Sequence, residues 1–168
     1  MALPPGLDIV DPLDAPTTGE IAAIEAKVGA PLPADVLDFL RLANGAYFPY
    51  SIQVHHKQGS EWLSFCSVTS TRPPEPGTLG FGTFLGEIEC ARGGGVPVNA
   101  LPIARDGGSS VLYVDLTPEG NGRVLAFIEG LPGWAGHSQE DAIVVLAPSL
   151  AEYLSLVRPN ESVEPGAA

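Results

Sequence analysis

Positive charge and sulfur are both scarce in this chain. Only 8 residues are Lys or Arg, against 20 Asp or Glu, for a formal net charge of -12. Such a surface repels a phosphate backbone, which argues against nucleic-acid binding by charge and leaves basic partners or plain solubility. Cys66 and Cys90 are the only cysteines and form no CxxC spacing, so a zinc knuckle or thioredoxin-like site is not indicated. Both are expected to be buried free thiols. His55 and His56 are adjacent, and neighbours on a strand point to opposite faces, so no metal site is expected. No uncharged apolar run approaches the roughly 18 residues of a membrane span. The first residues lack the basic segment and apolar run of a secretory signal, so a cytoplasmic location is expected. Neither G-x-S-x-G nor either glycine-rich phosphate motif occurs.

What is present suits one folded domain. Hydrophobic residues make up 45% and charged residues 17%, a balance that excludes disorder. Gly 20 and Pro 17 are high and predict many turns and long connections. The boundaries read as an extended arm over residues 1–16, an α+β domain over 17–158, and a flexible tail over 159–168.

The segment 101–116 is the centre of the pattern. Two apolar runs flank Asp106-Gly107-Gly108-Ser109-Ser110. Asp106 is placed to bond the backbone ahead of it, with Gly107 and Gly108 supplying positive φ, so a hairpin is predicted. Upstream, Thr17 and Glu20 form a capping box that opens a helix with Ile21, Ile24 and Val28 on one side. Leu32-Pro33 opens a second helix with Val36, Leu37, Leu40 and Ala43 buried, Asp35, Asp38 and Arg41 wet, and Asn44-Gly45 at its end. Strands are predicted at 51–56, 62–68, 111–116, 123–128 and 143–146, with Trp62 in the core. Residues 70–80 read as an irregular loop, and 81–95 as an ambiguous segment interrupted by Gly80, Gly82 and Gly86. Pro148 begins a final helix with Leu150, Tyr153, Leu154 and Val157 on one face. The fold class is therefore α+β, a single domain with a mostly antiparallel sheet and helices packed against it.

The order of short motifs resembles the SUKH superfamily, also called the Smi-one/Knr-four family. The matching blocks are Ile21–Val28, Leu32-Pro33-Ala34-Asp35, Phe39-Leu40, Asn44-Gly45, Leu101-Pro102-Ile103-Ala104, Asp106-Gly107-Gly108, Val114-Asp115-Leu116, and Val145, Ala147-Pro148-Ser149, Tyr153 and Leu154. Ser109-Ser110 stand where that family usually has an acidic residue, and Leu150 stands in place of its usual Phe. The resemblance implies a non-catalytic protein-binding domain that needs no cofactor and no metal. In bacteria such domains look like immunity proteins that bind and neutralise a toxin, often a nuclease or deaminase. A cytoplasmic regulator of the cell-wall-synthesis type is the alternative. A small-molecule enzyme is a further one, and would need a pocket around His137, Asp106 or Ser110. A monomer or weak homodimer is expected.

Residues picked out for partner contact are Trp134, in a Pro/Gly loop without periodicity, and the acidic set Glu61, Glu75, Glu87, Glu89, Glu129, Glu140 and Asp141. Asp106, Gly107 and Gly108 are assigned to the structural turn, and Asp115 to a strand end.

Overall fold

Thr17 accepts from the Glu20 amide while Glu20 reaches back to the Thr17 amide, which closes both free donors at the start of helix α1, Thr18–Val28. This computed structural model describes residues 6–56, 59–90, 95–129 and 142–162. Helix α2 spans Ala34–Ala43 and follows Pro33, its N-cap residue. Its buried side is Val36, Phe39, Leu40 and Ala43, so Phe39 takes the place expected for Leu37. Asp35 is not on the wet side alone: its Oδ2 accepts from the Ala151 amide at 3.1 Å, at the start of the last helix.

Among the described residues, eight strands form two antiparallel sheets. Strands β1 (Tyr50–His56), β2 (Gly59–Leu63) and β8 (Arg158–Pro159) make a small sheet in the order β2-β1-β8. Strands β3 (Ser67–Val68), β4 (Ala100–Arg105), β5 (Val111–Asp115), β6 (Val124–Phe127) and β7 (Ile143–Ala147) make a meander in that order. The single strand read at 62–68 is thus two strands in two sheets, with Phe65 buried at the crossing. Helix α3, Phe84–Glu89, is capped by Thr83, and α4, Leu150–Leu156, by Ser149.

The main core lies between the sheets and helices. Ile24, Val36, Leu40, Val54, Leu101, Ile103, Val114, Val124 and Leu150 are all essentially inaccessible. Each such side chain contributes roughly 1.5–3 kcal/mol over an exposed one. A second cluster of Ala100, Val111, Tyr113 and Leu125 buries the other face of β4, β5 and β6. Burial on both faces explains why β5 reads as a continuous apolar run rather than an alternation.

Three expectations are corrected. Trp62 is opposite Gln53, which is exposed, so the indole lies on the outer face of the small sheet under the Arg158 guanidinium, 5.7 Å from the ring centroid. The one-residue parity of a strand decides this, and the register was not readable upstream of the β1–β2 turn. Cys66 and Cys90 are free but half-buried. The C-terminal segment is held through Ser162: β8 pairs with β1, and Asn160 bonds both Ser51 and Ser64. The N-terminal arm packs as an extra edge, with Val10 and Tyr47 exchanging backbone bonds at 3.0 and 2.9 Å.

Candidate protein-binding loop

The central hairpin forms where the sequence places it, but not for all the stated reasons. Asp106 Oδ1 accepts from the amides of Gly108 at 2.8 Å and Ser110 at 3.2 Å. Neither Gly107 nor Gly108 is among the residues with positive φ. The Asp side chain shapes the turn together with the Asp106 amide, which donates to Ser110 O at 3.2 Å, so the left-handed requirement assigned to these glycines does not hold. Ser110 is buried and accepts from the Glu129 amide at 2.9 Å, and Asp115 is fully buried against Thr117 and Arg123. These side chains are taken up by structural bonds.

The most distinctive surface is the loop of residues 70–83, between β3 and α3. Its ends are clamped together: Ser70 donates to Gly82 O at 2.7 Å, and Phe84 donates to Ser70 O at 2.9 Å. Thr71 is buried, its amide donating to Asn44 Oδ1 at 2.8 Å and its hydroxyl to Glu20 Oε2 at 3.0 Å. Thr78 folds back on Glu75 O, and Thr83 on Gly80 O. Such closure at the base and along the rim is characteristic of an Ω-type loop, whose shape is set by its own contacts.

Glu87 pins the loop from below. Its carboxylate accepts from the Gly82 amide at 3.0 Å and from Arg105 Nε at 2.9 Å, with a second bond from the same guanidinium. The hydrogen bond to Glu87 raises the Arg105 pKa above its ordinary value, against a smaller opposing effect of burial. At such a charge-assisted, largely desolvated pair, geometry is held more firmly than at an exposed one. Gly86 packs directly on Gly80: a Cβ there would lie 2.1 Å from the Gly80 carbonyl oxygen.

On this braced frame stand two apolar side chains in water. Leu79 is 76% exposed and Phe81 68% exposed. They border a groove of about 420 Å³ lined also by Arg72, Pro73, Pro74 and Glu75. Large apolar groups held outward on a rigid loop have already lost much of the freedom that binding would otherwise cost.

The described members of the acidic set lie on several different elements. Glu75 is exposed on this loop, and Glu89 is exposed on α3 but paired with Lys27. Glu87 is buried under the loop, so it supports the surface rather than forming it. Glu61 is part-exposed on β2, facing His56 at 3.7 Å, and Glu129 is exposed after β6. Trp134, His137, Glu140 and Asp141 lie outside the described residues. Leu79 and Phe81 were missed because they belong to no periodic pattern. The available signal was large apolar residues set among glycines, in Leu79-Gly80-Phe81-Gly82.

A Ser–His contact does occur, with His55 Nδ1 and Ser60 Oγ 2.6 Å apart on the small sheet. Among the described residues no carboxylate bonds the second ring nitrogen, so the orienting third group of a nucleophilic triad is missing there. No cluster of three metal-ligating side chains occurs among the described residues, and no described helix is long and apolar enough to cross a membrane.

Among the described residues, two antiparallel sheets, the larger a five-stranded meander, packed with four helices around one main core, define an α+β domain with a braced apolar loop on its surface. The chain belongs to the SMI1 / KNR4 family (SUKH-1), whose family model matches residues 15–156. No curated protein and no solved structure matches the chain.

Proposed function

We propose that this protein is a non-catalytic, cytoplasmic protein-binding domain that captures a partner through the loop of residues 70–83, and that the partner is a toxin which it neutralises as an immunity protein. The observation that carries the reading is the display of Leu79 and Phe81 in solvent on a frame fastened by Glu87, Arg105 and Gly86. Burying such a pair of side chains at an interface centre is worth the several kcal/mol typical of hot spots. The net charge of -12 favours a basic partner, such as a nuclease surface, by speeding encounter.

The test is capture from the native lysate by tagged protein, with the bound partner identified by mass spectrometry and its affinity measured on purified components. A toxin or its catalytic domain, bound about tenfold or more weakly by Leu79→Ser/Phe81→Ser at unchanged thermal stability, is the expected result. The association rate should fall as salt is raised. Recovery of cell-wall or signalling proteins instead moves the reading to a cytoplasmic regulator. Full affinity in the double variant refutes the loop as the docking site.

A further inference from the structure

The two outer edges of the five-stranded sheet are treated differently. At one edge β3 is covered: Phe48 donates to Cys66 O at 2.8 Å, and Val68 donates to Ala46 O at 3.0 Å. At the other edge lies β7, Ile143-Val144-Val145-Leu146-Ala147, without a charge, a Pro or a Gly. By contrast β2, at an edge of the small sheet, carries Glu61, a charge of the kind that discourages edge pairing.

The bonding phase of β7 follows from one contact. Ile128 donates to Ala142 O at 2.8 Å, so Ile128 and Ala142 are a hydrogen-bonded pair. Antiparallel pairs alternate, so Ile143 opposite Phe127 and Val145 opposite Leu125 are non-bonded pairs. The N–H and C=O of Ile143 and Val145 therefore point away from β6, and they bond to no described residue. Val144 and Leu146 pack into the main core, which fixes the strand from inside. Val145, at its centre, is 56% exposed. Beside it opens a groove of about 540 Å³ lined by residues 145–148 with Gly120, Asn121 and Arg123.

We propose that β7 is a homodimerisation edge: a second copy of this chain adds its own β7 antiparallel, with the two-fold axis at Val144, because the bulge between Val124 and Leu125 leaves only Ile143 and Val145 with outward backbone groups. That register sets Ile143 of each copy opposite Val145 of the other as bonded pairs, each exchanging two N–H···O=C bonds, so one strand satisfies itself. The self-complementary register selects a copy as the occupant, and the local lack of like charge permits it. Two chains each carrying -12 repel over most of their surfaces, but none of the residues lining this groove bears a carboxylate, and Arg123 is the only ionic group among them. The short strand and the overall repulsion make the dimer weak and make salt strengthen it, the reverse of what is expected for a basic partner at the 70–83 loop. The inference does not depend on the function proposed above.

Sedimentation equilibrium over a wide concentration series, at low and high salt, tests it. The expected result is a reversible monomer–dimer equilibrium whose dissociation constant falls with added salt. In Val145→Lys that constant should rise about tenfold or more, while the thermal midpoint stays near that of the wild type. In hydrogen exchange the Val145 amide should gain protection with concentration in the wild type. A wild-type protein that stays monomeric throughout, as it would if the edge receives a strand from a different protein, overturns the proposal. So does a dimer that Val145→Lys leaves intact.

Discussion

Three glycines of similar appearance in the sequence should respond to alanine in a graded order. At Gly86 the added Cβ would meet the Gly80 backbone, 2.1 Å from O, 2.5 Å from C and 2.7 Å from Cα. Backbone cannot rotate aside as a side chain can, so either α3 or the turn at Gly80 must move. Overpacking of this kind costs about 1–3 kcal/mol. The shift would also pull the Gly86 amide from Thr83 Oγ1, now 3.2 Å away, and losing that cap adds about 1 kcal/mol. Gly86→Ala should therefore lose about 2–4 kcal/mol, or about 5–15 °C in midpoint for a domain of this size. Gly82 has open space around it but φ of 81°, so alanine there meets only left-handed strain, about 1–2 kcal/mol. Gly107 has neither a neighbour nor positive φ, and alanine should leave stability unchanged or raise it by up to about 1 kcal/mol through the unfolded chain. Urea and thermal denaturation of the three variants provide the comparison. A Gly86→Ala midpoint within about 2 °C of wild type, or a Gly107→Ala protein less stable than Gly86→Ala, would refute the close-approach argument.

Two further substitutions probe charge and burial. Arg105→Met strands the Glu87 carboxylate under the loop and should cost about 3 kcal/mol, at the low end for a broken buried pair because Arg105 is part-exposed. Adding Glu87→Gln should recover part of that loss, since the amide oxygen still accepts from Gly82 while the charge is gone, and an unrecovered double variant would count against the pairing. Tyr153 is buried, and burial pushes its pKa well above the usual phenol range. The unfolded chain releases this proton near pH 10 and the folded chain holds it, so the contribution is intact below about pH 10 and stability falls as pH rises further. Tyr153→Phe should flatten that alkaline decline at little change near neutrality. An unchanged slope in urea titrations above pH 10 would exclude Tyr153 as its source.

Local chemistry was enough to place much of the fold. The capping box at Thr17 and Glu20 and the Asp106 turn each depend on residues within a few positions, and each formed where the sequence indicated. The apolar stripes of α1, α2 and α4 and the pairing of β5 with β6 follow from periodicity and short connections. Only tertiary structure decided the rest. The split of 62–68 between two sheets and the outward face of Trp62 depend on which strand lies alongside, and a shift of one residue reverses every side chain. Glu87 reads as one more surface carboxylate until Arg105, distant in sequence, is brought against it. Gly86 reads as a helix breaker until Gly80 packs on it. Leu79 and Phe81 stand out only because nothing folds over them, and β7 becomes an edge only because the meander ends there. Local bonding determines elements because its partners are neighbours in the chain; exposure, register and edges are relations between distant segments, and they exist only once the chain has folded.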